Sequence, residues 1–127
     1  MPDPPTLRTV VEEHVEAFNA HDTERLFRGF DDDITWHTGS DVFYGPEALR
    51  TVFDQWLWDR APRLVVMQLV VDGDRAAMEC IEHMVLDGKP AEFPIAVFLT
   101  ARRGLLTSVR VYREGSAHLP NPAPPGR

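Results

Sequence analysis

The chain reads as an α+β domain, with three N-terminal helices packed on a curved, mostly antiparallel sheet that rolls into a cone-shaped barrel. Three observations predict it. Apolar residues recur at three- and four-residue steps through the first half of the chain. From Leu64 onward the period changes to two, and Asp72-Gly73, Asp87-Gly88 and Arg103-Gly104 punctuate the strand-like runs at regular intervals. A half-buried antiparallel sheet must cover one face with whatever helices the chain supplies, and a strongly twisted sheet wrapped over helices encloses a cavity.

The elements follow in order. Pro2, Pro4 and Pro5 keep the first residues out of a helix, so Thr6 is the expected N-cap of a first helix running to about Ala20. Leu7, Val10, Val11, His14, Val15 and Phe18 form its apolar stripe, and His14 lies inside that stripe. Asp22 caps a short second helix, Thr23 to Arg28, which Gly29 ends. After the Asp31-Asp32-Asp33 cluster comes a short strand in which Ile34, Trp36 and Thr38 share one face, with Thr35 and His37 on the other. Gly45-Pro46-Glu47 opens the third helix, which carries Leu49, Val52, Phe53, Trp56 and Leu57 on one side until Pro62 stops it. Four antiparallel strands follow at about 64–72, 75–86, 91–101 and 105–113. Residues 1–5 are expected to be a flexible lead-in, 6–114 the folded domain and 115–127 a proline-rich disordered tail.

Composition narrows the function classes. A chain of 127 residues that is 43% hydrophobic supports one core and needs no disulfide or structural metal to fold. The single cysteine, Cys80, agrees with a reducing, cytoplasmic setting. Twenty acidic against 13 basic residues give a net charge of −7, which argues against nucleic acid and anionic membrane as partners. The longest apolar run, Leu64 to Val71, falls well short of the roughly 18 residues of a membrane span. No paired spacing of histidines or acids suggests a metal site.

Several local strings resemble the ketosteroid isomerase-like, or nuclear transport factor 2-like, superfamily, with its SnoaL-like polyketide cyclase branch the most similar. They are Phe18-Asn19-Ala20-His21-Asp22, Phe30-Asp31-Asp32-Asp33-Ile34-Thr35-Trp36-His37, Tyr44-Gly45-Pro46-Glu47-Ala48-Leu49, Asp72-Gly73-Asp74-Arg75-Ala76-Ala77 and Val109-Arg110-Val111-Tyr112. The resemblance covers residues 7 to 114 and speaks for fold more than for reaction, since one fold hosts many chemistries. The oxyanion tyrosine of the ketosteroid isomerases falls on His14, but their general-base and second oxyanion aspartates fall on Thr38 and Ala96. Of the Asp-Arg-Asp set of the limonene epoxide hydrolases only an acid remains, at Glu82, with Cys80 and Val111 at the other two positions.

The resemblance places Cys80, Glu82 and Met84 on the cavity face of their strand, and Trp36 and Thr38 on that of theirs. Parity then adds Pro94, Ala96 and Phe98, and Val109, Val111 and Arg113, with Phe53, Trp56 and Tyr44 closing the mouth. A bulge between 75 and 101 would exchange the two faces and bring Glu79 and His83 inward. His14 and Glu82 are the candidate catalytic pair, a neutral imidazole and a carboxylate entering one apolar hollow from helix and sheet. Trp36, Thr38, Tyr44, Phe53, Trp56, Cys80, Met84, Phe98, Val111 and Arg113 are the candidate substrate-binding residues. The chemistry expected is proton transfer in cyclisation, isomerisation or dehydration of a hydrophobic oxygenated small molecule such as a polyketide, with no cofactor. The alternative is a domain that binds a hydrophobic ligand or a partner without turnover. The outward positions of the last two strands, read as Ile95, Val97, Leu99, Ser108, Arg110 and Tyr112, leave an apolar sheet face, and the resemblance implies a homodimer through it.

Overall fold

The structure, a computed structural model, describes residues 5–113. The expectations for 1–4 and for the tail from 114 onward lie outside the described residues. Helix α1 spans Leu7–Asn19, with the Thr6 hydroxyl accepting from the Thr9 amide at 3.2 Å; of the expected stripe it buries Leu7, Val10, Val11, His14 and Phe18, while Val15 is half-buried and Ala17 is buried in addition. Helix α2, Thr23–Phe27, is capped by Asp22, whose carboxylate accepts from the Arg25 amide at 3.1 Å.

The junction between the two helices is a small clamp. The Asn19 side chain donates to the Leu64 carbonyl at 2.9 Å and accepts from the Leu64 amide at 2.8 Å. His21 turns the chain with a φ of 55°, its Nε2 lies 2.8 Å from the Pro62 carbonyl, and its ring stacks on Trp58 at 4.8 Å. The Asn-Ala-His-Asp string thus ties the end of α1 to the start of the large sheet.

Six strands form one sheet: β1 Phe30–Thr38, β2 Asp41–Tyr44, β3 Arg63–Asp72, β4 Arg75–Leu86, β5 Lys89–Arg102 and β6 Leu105–Arg113. Their order is β2-β1-β6-β5-β4-β3; β1 runs parallel to β6 and every other pair is antiparallel. The four-strand meander from β3 to β6 is as the periodicity predicts. Strand β2 is an element that the periodicity does not predict. Asp87 and Gly88 both hold positive φ, the conformation of a two-residue hairpin turn, and pair Leu86 with Lys89.

Helix α3 is Pro46–Val52, shorter than the continuous helix expected. The chain then widens into a π turn over Phe53–Leu57 and tightens into a 3₁₀ turn at Trp58–Arg60, ended by Ala61 in the left-handed conformation before Pro62. Phe53 is the centre of the core: its ring meets Trp36, Phe27, Phe18 and Trp58 edge-on at centroid distances of 5.3, 5.6, 6.2 and 5.1 Å. Leu49, Leu57 and Ile34 are buried in the same layer between helices and sheet.

Candidate active site

The inner face of the sheet, α1 and the α3 segment enclose a cavity of about 930 Å³ that opens between the Gly39-Ser40-Asp41 turn and Trp56. Its walls are largely apolar, with Phe18, Trp36, Phe43, Phe53, Leu64, Met78, Phe93, Ile95, Val97 and Val109 among them.

One charged cluster is set into these walls. Glu82 on β4 stands opposite Leu64 on β3 and Phe93 on β5, and it is 3% exposed. Arg113, at the end of β6, donates from Nε to Glu82 Oε1 at 2.9 Å and from Nη2 to Oε2 at 3.2 Å. Its Nη1 donates to the Thr38 hydroxyl. Thr38 reaches this place because the parallel pairing of β1 with β6 sets it beside Val111, two residues before Arg113. The antiparallel registers of β4, β5 and β6 thus bring Glu82 to Arg113, and the parallel pairing of β1 with β6 adds Thr38; the sequence pattern carries no sign of the contact.

His14 enters from α1, 5% exposed, among the rings of Phe30, Trp36 and Phe18 at 5.9, 5.9 and 6.4 Å. Its Nδ1 has no hydrogen-bond partner. Burial pushes the imidazole down from its ordinary value to about 4, so it is neutral at pH 7. Cys80 is also buried, and burial together with the nearby Glu82 charge pushes its thiol up to about 11.

The structure brings His14, Trp36, Thr38, Phe53, Trp56, Glu82, Met84, Val111 and Arg113 to this one cavity. Cys80 is buried two residues from Glu82 but is not part of the lining. Two further placements need correction. Tyr44 sits on edge strand β2, 72% exposed and away from the cavity wall, because Phe43 takes the inward position of that strand. Phe98 is 51% exposed on the outer face, and the inward set on β5 is Phe93, Ile95 and Val97, not Pro94, Ala96 and Phe98. The cause is the Asp87-Gly88 turn: closing the hairpin there sets Glu82 opposite Phe93, Cys80 opposite Ile95 and Met78 opposite Val97, and opposed residues share a face. The outer face is correspondingly less apolar than expected, since Ile95, Val97 and Leu99 are core. Ser108, Arg110 and Tyr112 do stand on the side opposite Val109 and Val111.

Phe93, Ile95, Val97, Met78, Phe43 and Gln55 line the cavity without having been singled out in the sequence. The hairpin register and the more apolar of the two alternating sets were the available signals for β5. His83 lies 3.6 Å from Glu92 and, like His37, is not part of the lining, whereas Asp41 is exposed at the mouth. Among the described residues no three His, Cys, Asp or Glu side chains gather as a metal site, and no helix is long and apolar enough to cross a membrane.

The family model of the SnoaL-like domain matches residues 11–109. Among solved structures, a proposed polyketide cyclase from Xanthomonas campestris pv. campestris is 20% identical, with a TM-score of 0.76 over 83% of this chain and 87% of that one. The epoxide hydrolase/cyclase-like enzyme SalBIII, of pyran ring formation in the polyether salinomycin, is 20% identical with a TM-score of 0.77 over 84% and 88%. TerC, crystallised with polyporic acid, is 17% identical with a TM-score of 0.75 over 84% and 89%. At these identities the likeness is one of fold. No curated protein sequence matches the chain.

Proposed function

The chain belongs to the SnoaL-like domain family, and from that premise we propose that it is a small-molecule enzyme that moves a proton on a hydrophobic, oxygenated substrate. Cyclisation, isomerisation and dehydration all fit that chemistry, and a polyketide is the substrate type we favour. The single observation that carries the proposal is a buried carboxylate, Glu82, set with His14 in the wall of one largely apolar cavity.

Glu82 is the proton carrier. Arg113 fixes its plane through two hydrogen bonds, one to each oxygen, and each carboxylate oxygen keeps a second lone pair that can take a proton. His14, neutral in its ring cluster, is the second group, and it serves the substrate by hydrogen bonding. Thr38 orients a substrate oxygen, and the rings of Trp36, Phe53 and Trp56 exclude water and hold a flat ligand. None of these steps calls for a cofactor. The polyketide cyclase and SalBIII likenesses support a cyclase-type role, and TerC with polyporic acid supports a small organic ligand.

The test is deuterium exchange at the acidic carbon of an aryl β-keto ester, followed by NMR with the purified protein. Glu82→Gln is expected to lower the catalysed rate by about 10² to 10⁴, the usual worth of a positioned general base. Exchange retained in both Glu82→Gln and His14→Ala, each folded, would end the acid/base proposal. The competing reading is a binder without turnover, favoured by the engagement of both Glu82 oxygens in an ion pair of the kind that serves structure alone. A homodimer through the outer sheet face belongs to the same proposal: Phe98 and Tyr112 form an exposed edge-to-face pair there, at 5.9 Å. Sedimentation equilibrium measures it directly.

A further inference from the structure

Among the described residues, three charged side chains line the cavity: Asp41, Glu82 and Arg113. An arginine in an apolar pocket is ordinarily the capture point for a ligand carboxylate, because its planar fork matches the two oxygens. In this cavity the Nε–Nη2 edge of that fork already faces the Glu82 carboxylate, and Nη1 donates to Thr38. A carboxylate entering the cavity would therefore shed its hydration between hydrophobic walls and meet two acids and a cation whose charge is already balanced.

From this arrangement we infer that Glu82, by occupying Arg113, sets the ligand specificity of the cavity: it admits uncharged carbonyl compounds, ketones and esters, and bars free carboxylic acids in their ionised form. The inference rests on the reading of the cavity as a ligand site and narrows its substrate class. Thr38 supplies the positive half of the selection. Its hydroxyl oxygen accepts from Arg113, so its hydrogen is left to donate, and a single carbonyl oxygen satisfies that donor. His14, neutral at pH 7, adds no charge that would recruit an anion.

A consequence separates this from simple apolar selectivity. Removing the Glu82 charge while keeping its shape takes the balancing carboxylate away from Arg113, and the cavity is then expected to gain affinity for a ligand carboxylate. Methyl naphthoate and naphthoate, which share a ring system and differ in charge at pH 7, are the probes, with binding to the full chain measured by titration calorimetry.

The wild type is expected to bind the ester at least roughly tenfold more tightly than the acid, and Glu82→Gln to bind the acid at least roughly tenfold more tightly than the wild type does. Equal affinities in the wild type, or an acid bound more tightly than the ester, overturn the inference, and this comparison requires no variant to fold. Discrimination that stays unchanged in a folded Glu82→Gln removes Glu82 as its cause and overturns it too. Ester preference without any proton-exchange activity leaves the inference standing and ends the proton-transfer reading. If neither probe binds either protein, the cavity is not a ligand site and both fall.

Discussion

Arg113 holds Glu82 by both carboxylate oxygens although the two residues stand on β6 and β4, strands separated by β5. The guanidinium crosses over the Ile95 position, which pairs with Arg113 on one side and with Cys80 on the other. The Glu82 side chain is 4% exposed and that of Arg113 is 23% exposed, so the pair is shielded and unequal in its access to water. Arg113→Met strands the more deeply buried partner. A buried charge left alone costs about 3–5 kcal/mol, whereas Glu82→Gln leaves the charge on the less deeply buried arginine and costs less. Urea denaturation of the two variants at pH 7 is expected to rank Arg113→Met as the more damaging; the reverse order would contradict a pair whose burden lies on Glu82.

His14 makes stability depend on pH. Its folded value of about 4 lies below the ordinary histidine value of 6.5, so between these limits the unfolded chain binds more protons than the folded one. The contribution is fully present above pH 6.5 and is lost as the pH falls through 4. The shift corresponds to about 3 kcal/mol across that window. His14→Leu is expected to flatten the fall in unfolding free energy between pH 7 and 4.5 relative to the wild type, read by chemical denaturation at each pH. Parallel curves for the two proteins would show that His14 is not the group responsible.

The Asn19 clamp is worth testing because its amide satisfies both backbone groups of Leu64 at once. Truncation to alanine leaves a part-buried carbonyl and amide without partners at the first turn of β3. A loss of about 1–3 kcal/mol is expected, with the cavity residues still in place, so that ligand affinity extrapolated to the folded fraction is unchanged. An Asn19→Ala variant as stable as the wild type would mean that water replaces the clamp at no cost.

Cys80 offers a probe of global opening. With the thiol raised to about 11 and the residue buried, almost no thiolate is present or accessible at pH 8. Labelling by a small disulfide reagent is expected to proceed at the rate of unfolding, and to accelerate in step with urea. Rapid stoichiometric labelling of the native protein would show an opening of β4 that the packing does not predict.

What was legible in the sequence was whatever burial alone dictates. The α1 stripe and the four-strand meander follow from apolar periods of about 3.6 and 2, and a helix or strand that must bury one face has no other way to write it. The α3 segment departs from this rule because the π turn at Phe53–Leu57 breaks the helical period while still burying Phe53 and Leu57. The Glu82–Arg113 pair, 31 residues apart, has no local signature: it depends on the registers of β4 and β6 against β5 and on the reach of two long side chains across that strand. Tyr44 was misplaced because a four-residue edge strand is too short to show its alternation. Strand β5 is different in kind, since its true register was written in Asp87-Gly88, where a two-residue turn fixes which residues oppose β4.

That register carries the sharpest structural prediction, because it reverses the ranking expected from side-chain size. Leu99 and Phe98 are adjacent, yet Leu99 is 1% exposed in the core and Phe98 is 51% exposed on the outer face, touching the Tyr112 ring edge-on. Leu99→Ala empties buried volume that the surrounding sheet cannot fill, and is expected to cost about 2–5 kcal/mol. Phe98→Ala removes the larger side chain but only a surface aromatic contact, and is expected to cost about 1 kcal/mol or less in the monomer. Measured at low protein concentration, the two denaturation curves separate the parities: a Phe98→Ala loss equal to or larger than that of Leu99→Ala would turn β5 over and, with it, the face from which Ile95 and Val97 reach the cavity. If the outer face pairs two copies, Phe98→Ala acquires a second effect that Leu99→Ala lacks, a weakening of self-association that grows with protein concentration while binding of the uncharged probe in the cavity is unaltered.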